Sequence, residues 1–200
     1  MSKGRVGARL LVLAALTATL AAPAGAAAAD GLDGGCPSTY EQPFAPWLDF
    51  ASYVLVPNGD LESGRAGWSL DGGASIVAEN ESFYVHDAGD AKSLSLPPGS
   101  SATTGDVCIG ATSPDLRFFA RNLGSPLSTL EVEVLYTDLL GRSHALTVAM
   151  LTGGSSWQPT LPVAVLANLT LTTSAAFRFT PQGSSEWRID DVYVDPFKGE

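Results

Sequence analysis

Trp187-Arg188-Ile189-Asp190-Asp191-Val192-Tyr193-Val194-Asp195-Pro196, near the C-terminus, has the apolar content of a β-strand and one break in its phase. Ile189 is apolar at an odd position, whereas Val192 and Val194 are apolar at even positions. Side chains on a strand alternate with period 2, so a regular strand cannot bury all three on one face. A β-bulge at Asp190-Asp191 restores the phase and turns a carboxylate off the ladder. An ordinary edge strand with both aspartates in water is the alternative.

The same strand texture runs back through the chain to Tyr53. Candidate strands are 52–56, 66–70, 74–79, 92–96, 101–109, 115–121, 129–137, 143–151, 160–165, 174–180 and 187–195. Breakers separate most of them: Pro57-Asn58-Gly59, Asp71-Gly72-Gly73, Pro97-Pro98-Gly99, Gly124-Ser125-Pro126, Gly141, Gly153-Gly154 and Pro181-Gln182-Gly183. Leu130, Val132, Val134 and Tyr136 alternate with Glu131 and Glu133, and Leu116, Phe118 and Ala120 alternate with Arg117, Phe119 and Arg121. Short alternating runs between turn signals predict an all-β, antiparallel β-sandwich. A single weak helical pattern follows the N-terminal region, Val163 to Leu171. Residues 30–51 are rich in Gly, Pro and aromatics without period, and are expected to lie over the sandwich as an irregular strap anchored by Phe44, Trp47 and Phe50.

The N-terminus carries an export signal. Lys3, Arg5 and Arg9 precede the apolar run Leu10 to Ala22, and Ala24-Gly25-Ala26 and Ala27-Ala28-Ala29 both fit a small-residue cleavage site. The run is short and alanine-rich for a membrane anchor, and no second run is long enough to span a bilayer. The expected organisation is a signal peptide (1–29), the strap (30–51), a sandwich domain (52–196) and a short tail (197–200), in a secreted protein. Roughly 170 residues after cleavage are enough for one domain with a real core.

Three of the 11 basic residues lie in the signal, leaving 8 basic against 21 acidic residues, a net charge of −13. That balance argues against nucleic acid or an anionic membrane as partner and suits cations. The two cysteines, Cys36 and Cys108, read as one disulfide in an exported chain, or else as two buried thiols. A bridge would close a loop of about 70 residues, worth at most about 4 kcal/mol.

Two segments carry a resemblance. Asn58-Gly59-Asp60-Leu61-Glu62 followed by Gly67-Trp68, together with the Trp187–Pro196 segment, resembles the opening and closing strands of carbohydrate-binding modules with the galactose-binding-like jelly-roll fold. The resemblance spans roughly Tyr53 to Pro196. Leu61 stands where Phe is more usual, and the strap lies outside the pattern. The chain is also similar to secreted actinobacterial proteins of this type, in keeping with its Ala/Gly-rich composition. The resemblance implies that the first and last strands pair and that a structural calcium (Ca2+) sits at their junction. Glu62 and Asp190 would be side-chain ligands, Asp90 would contribute from a third loop, and Asn58 or Asp60 would add oxygens. Calcium takes six to eight hard oxygens, which loop carbonyls and a few carboxylates supply.

Glycan binding requires exposed aromatic platforms with polar groups converging on sugar hydroxyls. The face bearing Arg117, Phe119 and Arg121 is a candidate, with Glu131 and Glu133 as neighbours; a solvated Arg/Glu ladder is the alternative. Trp157, after Gly153-Gly154-Ser155-Ser156, either joins that surface or seals the sandwich edge. Trp68 and Trp187 are expected in the core. Catalysis has little support: no G-x-S-x-G elbow, zinc spacing or phosphate loop occurs, and His86 and His144 read as surface residues. The expectation is a secreted non-catalytic module binding an extracellular or cell-wall glycan. A structural or adhesive protein contacting an extracellular protein partner is the alternative, and a hydrolase a minor one.

Overall fold

The structure is a computed structural model that describes Met1 and residues 39–109, 114–165 and 174–196. Two compact units divide the chain, Met1–Gly31 and Leu32–Glu200, and every element below belongs to the second. Residues 2–29 of the expected signal, the first part of the strap with Cys36, the tail 197–200 and residues 166–171 of the helical candidate lie outside the described residues.

Thirteen strands are described, with no α-helix among the described residues. They are β1 (Val54–Leu55), β2 (Ser69–Asp71), β3 (Ser75–Val77), β4 (Ser93–Leu96), β5 (Ser101–Thr103), β6 (Val107–Cys108), β7 (Asp115–Asn122), β8 (Thr129–Thr137), β9 (Ser143–Leu151), β10 (Gln158–Pro159), β11 (Val163–Ala164), β12 (Ser174–Gln182) and β13 (Trp187–Asp195). One sheet has the order β10-β7-β13-β4-β3, with β1 on β13 and β11 on β7. The other has the order β2-β5-β12-β8-β9, with β6 on β12. Every pairing is antiparallel, and the two sheets form a jelly-roll β-sandwich.

Of 160–165 only Val163–Ala164, just after Pro162, forms a strand, and Gln158–Pro159 forms another just before this range. Val163–Ala164 pairs with β7 as a strand, so the start of the helical candidate is β, as its β-branched residues favour.

The alternation reads directly as burial. Leu130, Val132 and Val134 of β8, Phe177 and Phe179 of β12, and Leu116, Phe118 and Ala120 of β7 fill the space between the sheets. Trp68 stacks on Phe179 at 6.1 Å and Phe118 meets it edge-on at 5.1 Å. Trp68 and Trp187 are core residues as expected. Each fully buried large apolar side chain contributes roughly 1.5–3 kcal/mol.

The outward face of β7 is also buried, because the strap covers it. Phe44 is fully buried, stacked on Phe119 at 5.7 Å and edge-on to Tyr53 and Tyr193. Phe44, Tyr53, Phe119, Trp157 and Tyr193 make a second apolar cluster outside the main core. Trp47 packs beside it, but Phe50 is 64% exposed and is not an anchor.

Candidate functional site

The first and last strands meet as expected: Val54 pairs with Val194 and Leu55 with Tyr193. The turn after β1 then folds against β13, with the Val56 N–H donating to the Val192 carbonyl at 2.9 Å and the Val192 N–H to the Gly59 carbonyl at 3.1 Å. A Cβ on Gly59 would lie 2.5 Å from the Val192 oxygen, so only glycine permits this approach. Pairing between β13 and β7 shifts register between Asp190 and Tyr193, and Asp191 adopts φ +46°. This is the bulge that the phase of Ile189 against Val192 and Val194 requires.

The bulge gives its two aspartates different surroundings. Asp190 is buried; its carboxylate accepts the Glu81 N–H at 2.8 Å and the Asp191 N–H at 2.9 Å. Asp191 is also buried, and neither of its carboxylate oxygens has a hydrogen-bond partner. Glu81 is buried too and accepts the N–H groups of Phe83 and Val85, bracing that loop. Burial, then the Asp191 charge, pushes Asp190 up to about 9. Burial, then the Glu81 charge, pushes Asp191 up to about 7. Burial raises Glu81.

Beside this pair, donor atoms of Asp60, His86 and Asp90 lie within 4.8 Å of one another. His86 Nδ1 is 2.9 Å from Asp90 Oδ2 and 3.7 Å from Asp60 Oδ2. Burial lowers the His86 pKa, but the Asp90 hydrogen bond and charge outweigh it and raise it. Asp191 interacts electrostatically with all three. A carboxylate buried without a partner, next to converging oxygen and nitrogen donors, fits a divalent cation.

Of the five residues expected as ligands, the structure brings two together. Asp60 and Asp90 converge. Asn58 does not join them: it adopts φ +54°, donates to the Gly64 and Ala66 carbonyls and accepts the Ser63 N–H, organising its own loop. Glu62 caps the next loop instead, accepting the Ala91 and Lys92 N–H groups at 2.7 Å each. Asp190 is occupied by backbone. His86 stands beside Asp60 and Asp90 instead, with the unpartnered Asp191 carboxylate interacting electrostatically with all three.

The expected sugar platform is not exposed. Phe119 is fully buried under the strap. Arg117 is buried, its guanidinium 4.2 Å from the Phe44 ring centre, paired with Asp49 and donating to the Thr160 carbonyl at 2.8 Å. Trp157 is 5% exposed and seals the edge, with Arg121 over its ring at 5.2 Å and paired with Glu79. Glu131 and Glu133 lie on the other sheet, where Glu133 pairs with Arg178 at 2.7 Å and Glu131 accepts from Thr147 and Gln182. The charged ladder exists, but Arg178 supplies its cation.

A groove that the sequence analysis missed lies at one end of this second sheet. Its volume is about 490 Å³, and Tyr136, His144, Asp106, Asp138, Ser143 and Ser174 line it. The Tyr136 and His144 rings are cross-strand partners, stacked at 5.0 Å with 20° between their planes. His144 Nε2 lies 3.0 Å from Asp138 Oδ2. Asp138 also accepts the Leu140 and Arg142 N–H groups, at 2.9 Å each, and Arg142 Nε at 2.8 Å. His144, Arg142 and these amides hold the Asp138 carboxyl below its ordinary range. No helix among the described residues is long and apolar enough to cross a membrane.

No family model and no curated protein sequence matches the chain. Solved structures match it by fold. The enzymatically active domain of tailspike protein 4 from bacteriophage CBA120 gives a TM-score of 0.52 at 16% identity, over 71% of this chain and 21% of that one. The CBM22-1 and GH10 modules of an endo-1,4-β-D-xylanase from Clostridium thermocellum, complexed with xylohexaose, give 0.52 at 15% identity, over 68% and 27%. The N-terminal CBM22-1–CBM22-2 tandem domain from Paenibacillus barcinonensis gives 0.51 at 14% identity, over 70% and 45%. The chain spans less than half the length of each of these structures. The shared feature is the jelly-roll sandwich.

Proposed function

We propose that this chain is a secreted, non-catalytic carbohydrate-binding module that takes an extracellular or cell-wall glycan in the groove around Tyr136 and His144. The groove carries the reading: its volume falls in the range of small-ligand sites, and it sets a flat aromatic stack among carboxylates and hydroxyls. Sugar rings offer an apolar face to such a stack and hydroxyls to Asp106, Asp138 and Ser143. The fold supports the same reading, since family 22 carbohydrate-binding modules share it. Fold alone does not specify a ligand, so the site has to bear the weight.

The His144–Asp138 pair braces a turn; in the bonds made by Asp138, the other donors are backbone amides and Arg142. That arrangement favours binding over hydrolysis. The export signal read in the sequence supports a location outside the cell, and a Cys36–Cys108 bridge is the proposed link between the strap and the domain. The corner formed by Asp60, His86, Asp90 and Asp191 holds a structural divalent cation, with calcium the ion expected from the family resemblance.

A glycan array probed with the wild type and with Tyr136→Ala and His144→Ala tests this. Binding to one glycan class, weakened at least tenfold by either variant, is expected. Silence of the folded wild type across the array overturns the proposal.

A protein partner is the second reading, favoured by Leu48, Phe50, Phe83 and Tyr84, all exposed on the strap and the loop braced by Glu81. Trp47 joins these two segments through an edge contact to Phe83 at 5.0 Å. Under this reading Phe50→Ser and Phe83→Ser abolish capture of the partner and leave the array result unchanged.

A further inference from the structure

Calcium coordination uses oxygen, and the corner does not offer oxygen alone. His86 Nδ1 stands between the Asp60 and Asp90 carboxylates, at 3.7 and 2.9 Å, inside the triad of donors that lie within 4.8 Å of one another. Asp191, buried to within 1% of full cover and with both oxygens lacking partners, lies close enough to act electrostatically on all three. Two carboxylates and one imidazole converge here with a buried, unpartnered carboxylate beside them, a mixed nitrogen and oxygen set of the kind that suits borderline first-row ions. A tetrahedron around zinc at about 2.0–2.2 Å has edges of roughly 3.4 Å. The two His86–aspartate separations bracket that value, so small rotations bring His86, Asp60 and Asp90 onto such a shell, and Asp191 is the unpartnered side chain left to complete it.

Resting on the reading that this corner holds a cation, we propose that the ion is a first-row transition metal, zinc(II) foremost, bound by Asp60, His86, Asp90 and Asp191, and not calcium. The bulge supplies Asp191 from the last strand, the turn after β1 supplies Asp60, and the loop before β4 supplies His86 and Asp90. The ion thus joins three chain segments far apart in sequence. Its site is closed by protein donors, which makes it structural. The Glu81 and Asp190 carboxylates are already engaged by backbone N–H groups and are not counted as ligands.

The chain has two histidines, so a preparation without a histidine tag has little other imidazole to confuse the result. The test is calorimetric titration of the metal-stripped full chain with zinc(II) and, separately, with calcium. It is repeated on His86→Ala, His86→Asp and, as control, His144→Ala, with near-ultraviolet circular dichroism verifying each fold. The expected result is one zinc per chain, bound at least tenfold more tightly than calcium. His86→Ala weakens zinc at least tenfold while changing calcium less than threefold, and His144→Ala changes neither. His86→Asp, which makes the donor set all oxygen, lowers zinc affinity and raises that of calcium. Calcium binding as tight as zinc, or a folded His86→Ala that keeps wild-type zinc affinity or loses both ions equally, overturns the zinc assignment and leaves the cation reading standing. Heat with neither ion removes both.

Discussion

Asp190 and Asp191 are adjacent, both buried, and differently satisfied: Asp190 accepts two backbone N–H groups, one of them from Asp191 itself, while the Asp191 carboxylate has no hydrogen-bond partner. The left-handed backbone at Asp191 separates their directions. One residue completes the protein's internal bonding, and the other is left facing the acids of the corner.

Their substitutions should therefore behave differently. Asp190→Ala strands two buried N–H groups and is expected to cost about 2–3 kcal/mol, with or without divalent ion. Asp191→Asn removes a buried charge. It is expected to raise the melting midpoint of the metal-free protein and to abolish the further rise on adding a divalent ion. Thermal melts of both variants, with chelator and with zinc, measure this.

The metal-free protein should lose stability as pH rises. The folded-state pKa values of Asp190 and Asp191, about 9 and about 7, lie above those of an unfolded aspartate. Between roughly pH 4 and pH 9 the folded state then binds more protons than the unfolded state, so unfolding free energy falls with pH. A midpoint about 5 °C or more lower at pH 9 than at pH 5 is expected in chelator. Bound cation holds the carboxylates ionised and should flatten this slope. A metal-free midpoint that rises over the same range contradicts the arrangement.

The strap acts on stability and not on the groove. Phe44 and Phe119 stack outside the main core, on the sheet opposite the one that carries Tyr136. Phe119→Ala is expected to cost about 3–5 kcal/mol by denaturant unfolding. Glycan affinity of the folded fraction should stay within twofold of wild type. A tenfold loss of glycan binding in folded Phe119→Ala would return the sugar site to the strap-covered face.

The bridge proposed for Cys36 and Cys108 is tested chemically. Thiol titration of the unfolded, unreduced secreted protein should find no free thiol, and reduction should lower stability by at most about 4 kcal/mol. Two free thiols per chain exclude the bridge.

The sandwich was legible because period-2 runs such as Leu130–Val134 map straight onto burial. The bulge was legible from the phase of Ile189 against Val192 and Val194. Which aspartate it turns toward the corner was not, because periodicity places the extra residue without saying whose φ becomes positive. His86 read as a plain loop histidine, although its spacing of four from Asp90 was a usable signal. The alternation of Arg117, Phe119 and Arg121 identified a second face of β7 but carried no sign that the strap buries it. The groove escaped because Tyr136 continues the core-facing series, and only the register that sets His144 beside it brings the two rings together.

The account depends on the first and last strands gathering acids that a cation must neutralise. Melting of the purified, metal-loaded chain before and after exhaustive chelation, followed by re-addition of a divalent ion, reports on that gathering. The midpoint should fall by at least about 5 °C on chelation and recover on re-addition. An identical midpoint in all three states would contradict it.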